Sequence, residues 1–383
     1  MTGFGPPLVS RARAIGTTVL AALALGLWLV PLSPPWIERE YAASRYLAWQ
    51  TVVTPLGNRV PFALFDLLLA IVVLGLAATI VRRYRRVEGR SRWRRIGRAS
   101  ARAALDVAVA ASLLAIWFSL AWGANYRRVP LRARLDYDPG RVTRTAAIDM
   151  AQASVREMNR LHPVAHAMPW PPLHALPATL GGAFSRAQRD LGQPRAAAAG
   201  RPKTTLLQPY FRWAAIDGLT DPFFLETLVN GDALPIERPF IVAHEWSHLA
   251  GFAHEAEANF LGWLICLQAD PQAQYSAWMS LYWHLASSLS AEDRRGVDAA
   301  LQAGPRADLQ AVIERYRRSA PRVRVVAWSL YDRFLKANRV AEGVASYDAV
   351  VTLVLGTRFD PGWRPALKGI PLDPRPQTLD SRP

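Results

Sequence analysis

His244, Glu245 and His248 stand in the pattern H-E-x-x-H, the run of residues with the most chemical content in this chain. On a helix, residues four apart share a face, so the two imidazoles can be offered to a single cation. Glu245 follows His244 by one position, about 100° around a helix. Its carboxylate then lies beside the cation rather than on it, where it can act as a general base toward water. The cation this pattern calls for is Zn2+, and the chemistry is hydrolysis of a carbonyl compound, peptide or protein above all. Ile241, Val242, Ala243, Leu249 and Ala250 make the rest of the segment apolar, so its polar face reads as embedded.

Two imidazoles need a third ligand, and the residues that follow offer three. Read literally, His244 to His254 spells H-E-x-x-H-x-x-G-x-x-H, the metzincin pattern, with His254 on the metal. Glu255 and Asn259 instead have the four-residue spacing of the glutamate-type zincins. There Glu255 is the ligand and Asn259 a partner that orients a histidine. Glu257 lies two positions on and points away if Glu255 points in. Glu255 is preferred, because Phe260, Leu261, Leu264 and Ile265 continue an apolar helix that would hold it rigidly. The metzincin reading also asks for a methionine in a turn, and Met279 falls inside a helix-like stretch.

The elements that position these residues are largely helical. Pro239 suits the first turn of a helix over 240–250, and a second helix is expected over 255–268, before Asp270-Pro271. Further helices are expected over 145–161, 275–290, 308–318 and 322–337, the first ending before His162-Pro163. Leu176-Pro177 reads as loop punctuation, and 193–203 (QPRAAAAGRPK) as an exposed low-complexity loop. Residues 225–230 read as a short edge strand that could hold an extended peptide by strand addition. His162, His166 and His174 read as surface residues, Tyr275, Tyr282 and His284 as helix aromatics, and Cys266 as a buried apolar residue.

Three stretches, 14–32, 62–81 and 103–122, are apolar and about 20 residues long, enough to cross a bilayer core as helices. They carry only Asp66 and Asp106, each near the start of its span and read as an interfacial or helix N-terminal acid. Segment 82–102 holds ten arginines against Glu88, which supplies most of the net charge of +16. A charge excess confined to one short loop is a topology signal rather than a nucleic-acid footprint, so no nucleic-acid partner is expected. The arginines keep 82–102 in the cytoplasm, together with the N-terminus and its Arg11 and Arg13. Residues 34–61 become an outer loop and 123–367 an extracytoplasmic domain, followed by a Pro-rich tail, 368–383. A single cysteine excludes an intramolecular disulfide and a four-cysteine zinc site.

The chain resembles bacterial membrane proteins catalogued as domain of unknown function 3810. The resemblance rests on Pro61-Phe-Ala-Leu-Phe-Asp66, Trp122-Gly-Ala-Asn-Tyr126, Pro222-Phe with Glu226 and Val229-Asn230, His244-Glu-Trp-Ser-His248, Gly251-Phe-Ala253 and Glu255-Ala-Glu-Ala-Asn259. It implies a three-span anchor with a zincin-like outer domain, implies no substrate, and favours Glu255 over His254. The fold expected is mainly α: three N-terminal transmembrane helices, then an α-rich zincin-like metallopeptidase domain with a small β edge element. The expected protein is a multi-pass inner-membrane zinc peptidase whose partners are the lipid bilayer and a peptide or protein substrate. A non-catalytic membrane scaffold or sensor that keeps the zinc site is the alternative.

Overall fold

A computed structural model of the chain describes residues 11–86, 92–341, 343–344 and 349–368. The expectations for residues 1–10, for the middle of the arginine-rich loop at 87–91 and for the tail from 369 lie outside the described residues. The fold is mainly helical, with two small sheets among the described residues. Among the described residues, three helical stretches are long and apolar enough to cross a membrane: Arg11–Leu29, Leu64–Arg82 and Ala99–Ala121. Their apolar surfaces have almost no protein cover, and Ile71, Val73 and Leu74 are all more than half exposed. Exposure of this extent on 19- to 23-residue helices is compatible with a lipid surround and points to a membrane protein. The two arginine-bearing helix ends extend the spans, so that helices run to Arg86 and from Arg92.

Polar contacts tie the spans at both ends. Arg13 pairs with Asp106 near the starts of the first and third. At the other end, Arg127 donates to the carbonyls of Leu27, Trp28 and Val30, groups that have no partner inside the first helix. Asp66 sits in the first turn of the second span's helix, where its carboxylate accepts from the Thr205 hydroxyl at 2.5 Å and the Leu206 amide at 2.8 Å.

The connection between the first and second spans contains helices that the sequence does not announce. A π-helical stretch Ile37–Arg45 continues into the α-helix Tyr46–Asn58, which carries Pro55 within it. Mixed charge and that proline hide the helix in the sequence; burial of Tyr46, Leu47, Gln50 and Thr54 against the later domain makes it worthwhile. The same contact corrects the reading of 193–203, in which Gln193, Ala197, Gly200, Pro202 and Lys203 are buried. The Gln50 amide bridges the backbone of Ala198 through two hydrogen bonds, 2.7 and 2.8 Å. Asn58 does the same across Ala199 and Arg201, at 3.0 and 2.7 Å. Two side-chain amides thus stand in for a neighbouring strand. The small residues that look like low complexity are those that fit the tight space, as at Gly200, where a Cβ would come within 2.3 Å of Thr227 Oγ1.

The principal sheet has three strands, β1 (Pro202–Lys203), β2 (Gly218–Asp221) and β3 (Glu226–Val229), in the order β1-β3-β2. The strand expected at the edge is therefore central: β3 pairs in parallel with β1 and antiparallel with β2. The free edge beside the motif belongs to β2.

Helices Arg238–Leu249 and Glu255–Leu267, called below the motif helix and the following helix, lie close to their expected bounds. So do Pro271–Ser288, Ala303–Arg317 and Pro321–Ala337. Two proline signals behave differently. Helix Arg144–Ala165 runs through Pro163, the ladder resuming at His166 N–H to His162 O, 3.0 Å. Pro177 opens helix Leu176–Asp190 in its first turn, where a missing N–H costs nothing. One apolar core, with Phe184, Trp246, Phe260 and Trp263 among its largest members, surrounds the motif and following helices.

Candidate metal centre

The motif helix starts with Pro239 in its first turn and stops at Gly251, whose φ of +82° is a left-handed conformation that glycine adopts without strain. Phe252 N–H reaches back to Ser247 O at 3.1 Å and Gly251 N–H to His248 O at 2.9 Å, the paired bonds of a Schellman stop. The H-x-x-G spacing is thus a helix terminus that reverses the chain. His254 is the N-cap of the following helix. Gly262 lets the two helices close up, since a Cβ there would lie 3.1 Å from the backbone nitrogen of His244. That approach carries the first residue of the following helix, Glu255, over the face that bears both histidines.

The result is a compact donor triangle. His248 Nε2 lies 3.2 Å from His244 Nε2; Glu255 Oε2 lies 3.3 Å from His244 Nε2 and 3.5 Å from His248 Nε2. Ligands about 2.0–2.1 Å from a tetrahedral ion are about 3.3 Å from one another, so the triangle has the dimensions of a zinc site. The donor set fits as well. His248 Nδ1 lies 2.8 Å from Phe252 O, a bond that puts the proton on Nδ1 and leaves the Nε2 lone pair free. Glu255 Oε2 is buried and faces the two imidazoles, with no further hydrogen-bond partner among the described residues. His254 lies outside the triangle, edge-on to Tyr126 with ring centroids 6.0 Å apart. Glu257 points elsewhere and accepts from the Leu131 amide at 2.6 Å. Asn259 is buried on the following helix, four residues after Glu255.

The electrostatics favour positive charge between the two imidazoles. Burial lowers the His248 pKa, but the charge and hydrogen bond of Glu255 outweigh it and push it up to about 9. Burial acts upward on Glu255, and the two histidines overcome it, holding the carboxyl below the usual carboxylate range. Glu245 is buried next to them, and that burial raises its pKa despite the opposing pull of His244, His248 and Thr220.

Two partners of the site carry no signal near the motif. Thr220 of β2 lies 2.8 Å from both the backbone oxygen and Oε2 of Glu245, and its single proton serves one of them at a time. Tyr331, on helix Pro321–Ala337, donates its hydroxyl to Glu255 Oε1. Its clue in the sequence is the aromatic spacing Trp328, Tyr331, Phe334, which marks one helix face. β2 also lies directly against Glu245: a Cβ at Gly218 would come within 2.4 Å of its Oε1.

The far end of the motif helix is held by residues just after the third span's end, by Tyr46 and by Gln193. Trp122 Nε1 donates to His248 O at 3.1 Å, Tyr46 OH to Leu249 O at 2.9 Å, Gln193 Nε2 to Ala250 O at 3.1 Å and Arg128 Nη1 to Gly251 O at 2.9 Å. These satisfy the last carbonyls of the helix and bring a cation to its negative end. Arg128 is buried and held in turn by both oxygens of Glu38, at 2.6 and 2.9 Å. No curated protein and no solved structure matches the chain at a level that establishes kinship. A family model does match, over residues 41–355, and the chain belongs to that family, described as protein of unknown function DUF3810.

Proposed function

We propose that this chain is a membrane-anchored zinc metallohydrolase of the zincin type, a peptidase that works on the extracytoplasmic side. The observation that carries the reading is the donor triangle of His244, His248 and Glu255, whose edges of 3.2–3.5 Å match one tetrahedral ion. A zinc ion held there supplies Lewis acidity and lowers the pKa of water toward about 7.

The chain's own residues supply the rest. Glu245, beside the triangle rather than in it, takes the proton from the attacking water and returns it to the leaving amine. Its raised pKa brings the carboxyl nearer the working range for both transfers. Thr220 and Gly218 fix where its carboxylate sits. The outer edge of β2 has no strand partner among the described residues, so an extended substrate can align there by strand addition next to Glu245. Tyr331 binds Glu255 Oε1 and leaves Oε2 for the ion. The arginines of 82–102 orient the anchor with that segment in the cytoplasm, which leaves the domain after Trp122 outside.

Substituting Glu245→Gln keeps shape and removes the base. The purified variant should retain its zinc and lose peptide hydrolysis by about 100-fold or more. Undiminished cleavage would discard the mechanism; zinc retained by a parent chain that cleaves no peptide in a diverse library would favour the scaffold reading.

A further inference from the structure

A second group of metal-ligand side chains lies outside the motif. His162 closes helix Arg144–Ala165 and His166 is its C-cap, so the two imidazoles project four residues apart from one helix end. Asp308 reaches them from helix Ala303–Arg317. His166 Nε2 lies 3.0 Å and His162 Nε2 3.5 Å from Asp308 Oδ2, and the rings stack with centroids 4.2 Å apart. The same oxygen accepts the Tyr275 hydroxyl at 2.6 Å. Tyr275 and His166 meet the two lone pairs of that oxygen, and His162 Nε2 stands beside them at 3.5 Å without a hydrogen bond to it. Two imidazoles that aim lone pairs at a shared cation, with Tyr275 donating to Oδ2, account for the convergence of all three side chains.

The rings are held in place by a built surround. Tyr275 is fully buried and stands edge-on to both, with centroids 5.7 and 5.9 Å away. Trp170 stands edge-on to His166 at 5.5 Å. Gly304 makes room for His162, since a Cβ there would lie 2.3 Å from its Cε1. The three ligand side chains keep 16–33% of their surface exposed, so water can complete a coordination shell.

We propose that His162, His166 and Asp308 form a second site, for a borderline divalent transition metal such as Zn2+, which clamps helix Arg144–Ala165 to helix Ala303–Arg317. Two imidazoles and one carboxylate select such ions over Mg2+ and Ca2+, which prefer oxygen donors. The site shares no residue with the motif triangle and stands whether or not the chain is a peptidase.

The test is zinc stoichiometry of the purified full-length chain, stripped with chelator, reloaded with Zn2+ and desalted. Two equivalents are expected for the parent. His166→Ala and Asp308→Asn should each bind one, with affinity at the second site weakened at least tenfold; Asp308→Asn keeps an oxygen for Tyr275, so the fold has little reason to change. Glu255→Ala should also lose one equivalent, and combining it with His166→Ala should lose both. Failure of the motif site alone would leave one equivalent sensitive to His166→Ala but not to Glu255→Ala. A parent that binds no equivalent sensitive to His166→Ala or Asp308→Asn overturns the proposal.

Discussion

At the scale of single residues, the two oxygens of Glu255 have separate tasks. Oε1 takes the Tyr331 hydroxyl, and Oε2 faces both imidazoles without another partner among the described residues. A hydrogen bond to a ligating carboxylate fixes its orientation and its basicity. Tyr331→Phe removes that bond at little change in volume. It should weaken zinc binding about 10- to 100-fold, read by competition against a chelator of known affinity. An unchanged affinity would reduce Tyr331 to a packing residue. The motif histidines and Glu255 were legible because helix periodicity converts spacing into direction. Tyr331 and Thr220 were not, since their contacts with Glu255 and Glu245 depend on tertiary packing that no local pattern encodes.

At the scale of elements, the site is a helix pair joined by a glycine stop, with β2 laid against Glu245. Gly251 stands in the sequence as the glycine at which the metzincin pattern turns the chain; the hydrogen bonds of Phe252 and Gly251 show that turn to be a Schellman stop of the motif helix. Strand order was not visible, because pairing is non-local: a short β-prone run such as Glu226–Val229 reads alike at an edge and in the centre. The free edge beside the motif is that of β2 rather than β3, which makes it the edge proposed for substrate and Gly218 a sensitive position. Gly218→Ala places a methyl group against Oε1, Cδ and Cγ of Glu245 at 2.4–2.9 Å. Hydrolysis should fall at least about tenfold while bound zinc is unchanged, since a shift of about 1 Å in a catalytic group can cost that much and more. Loss of zinc together with activity would mean that the substitution disturbs the whole helix pair rather than the base.

At the scale of the whole molecule, anchor and domain are joined by buried polar contacts. Lys203 and Glu226 form an ion pair with both side chains almost fully buried. Lys203 also donates to Gly57 O at 2.9 Å and Phe62 O at 3.0 Å, and Glu226 Oε2 accepts from Phe65 N–H at 3.1 Å. The helix Tyr46–Asn58, read in the sequence as loop, is the other half of this joint. Lys203→Ala strands the Glu226 carboxylate in a dry site and should cost about 3–5 kcal/mol. A fall in the thermal unfolding midpoint of the detergent-solubilised chain checks it. The motif helix depends on the same joint, since Trp122, Tyr46 and Arg128 close its C-terminal carbonyls. The family match over residues 41–355 takes in both halves of this joint.

Zinc bound by the purified full-length chain, compared with that bound by Glu255→Ala, tests the central claim most directly. The variant should hold one equivalent fewer than the parent. Equal zinc in both, or none in the parent after reloading, would contradict a centre built from His244, His248 and Glu255.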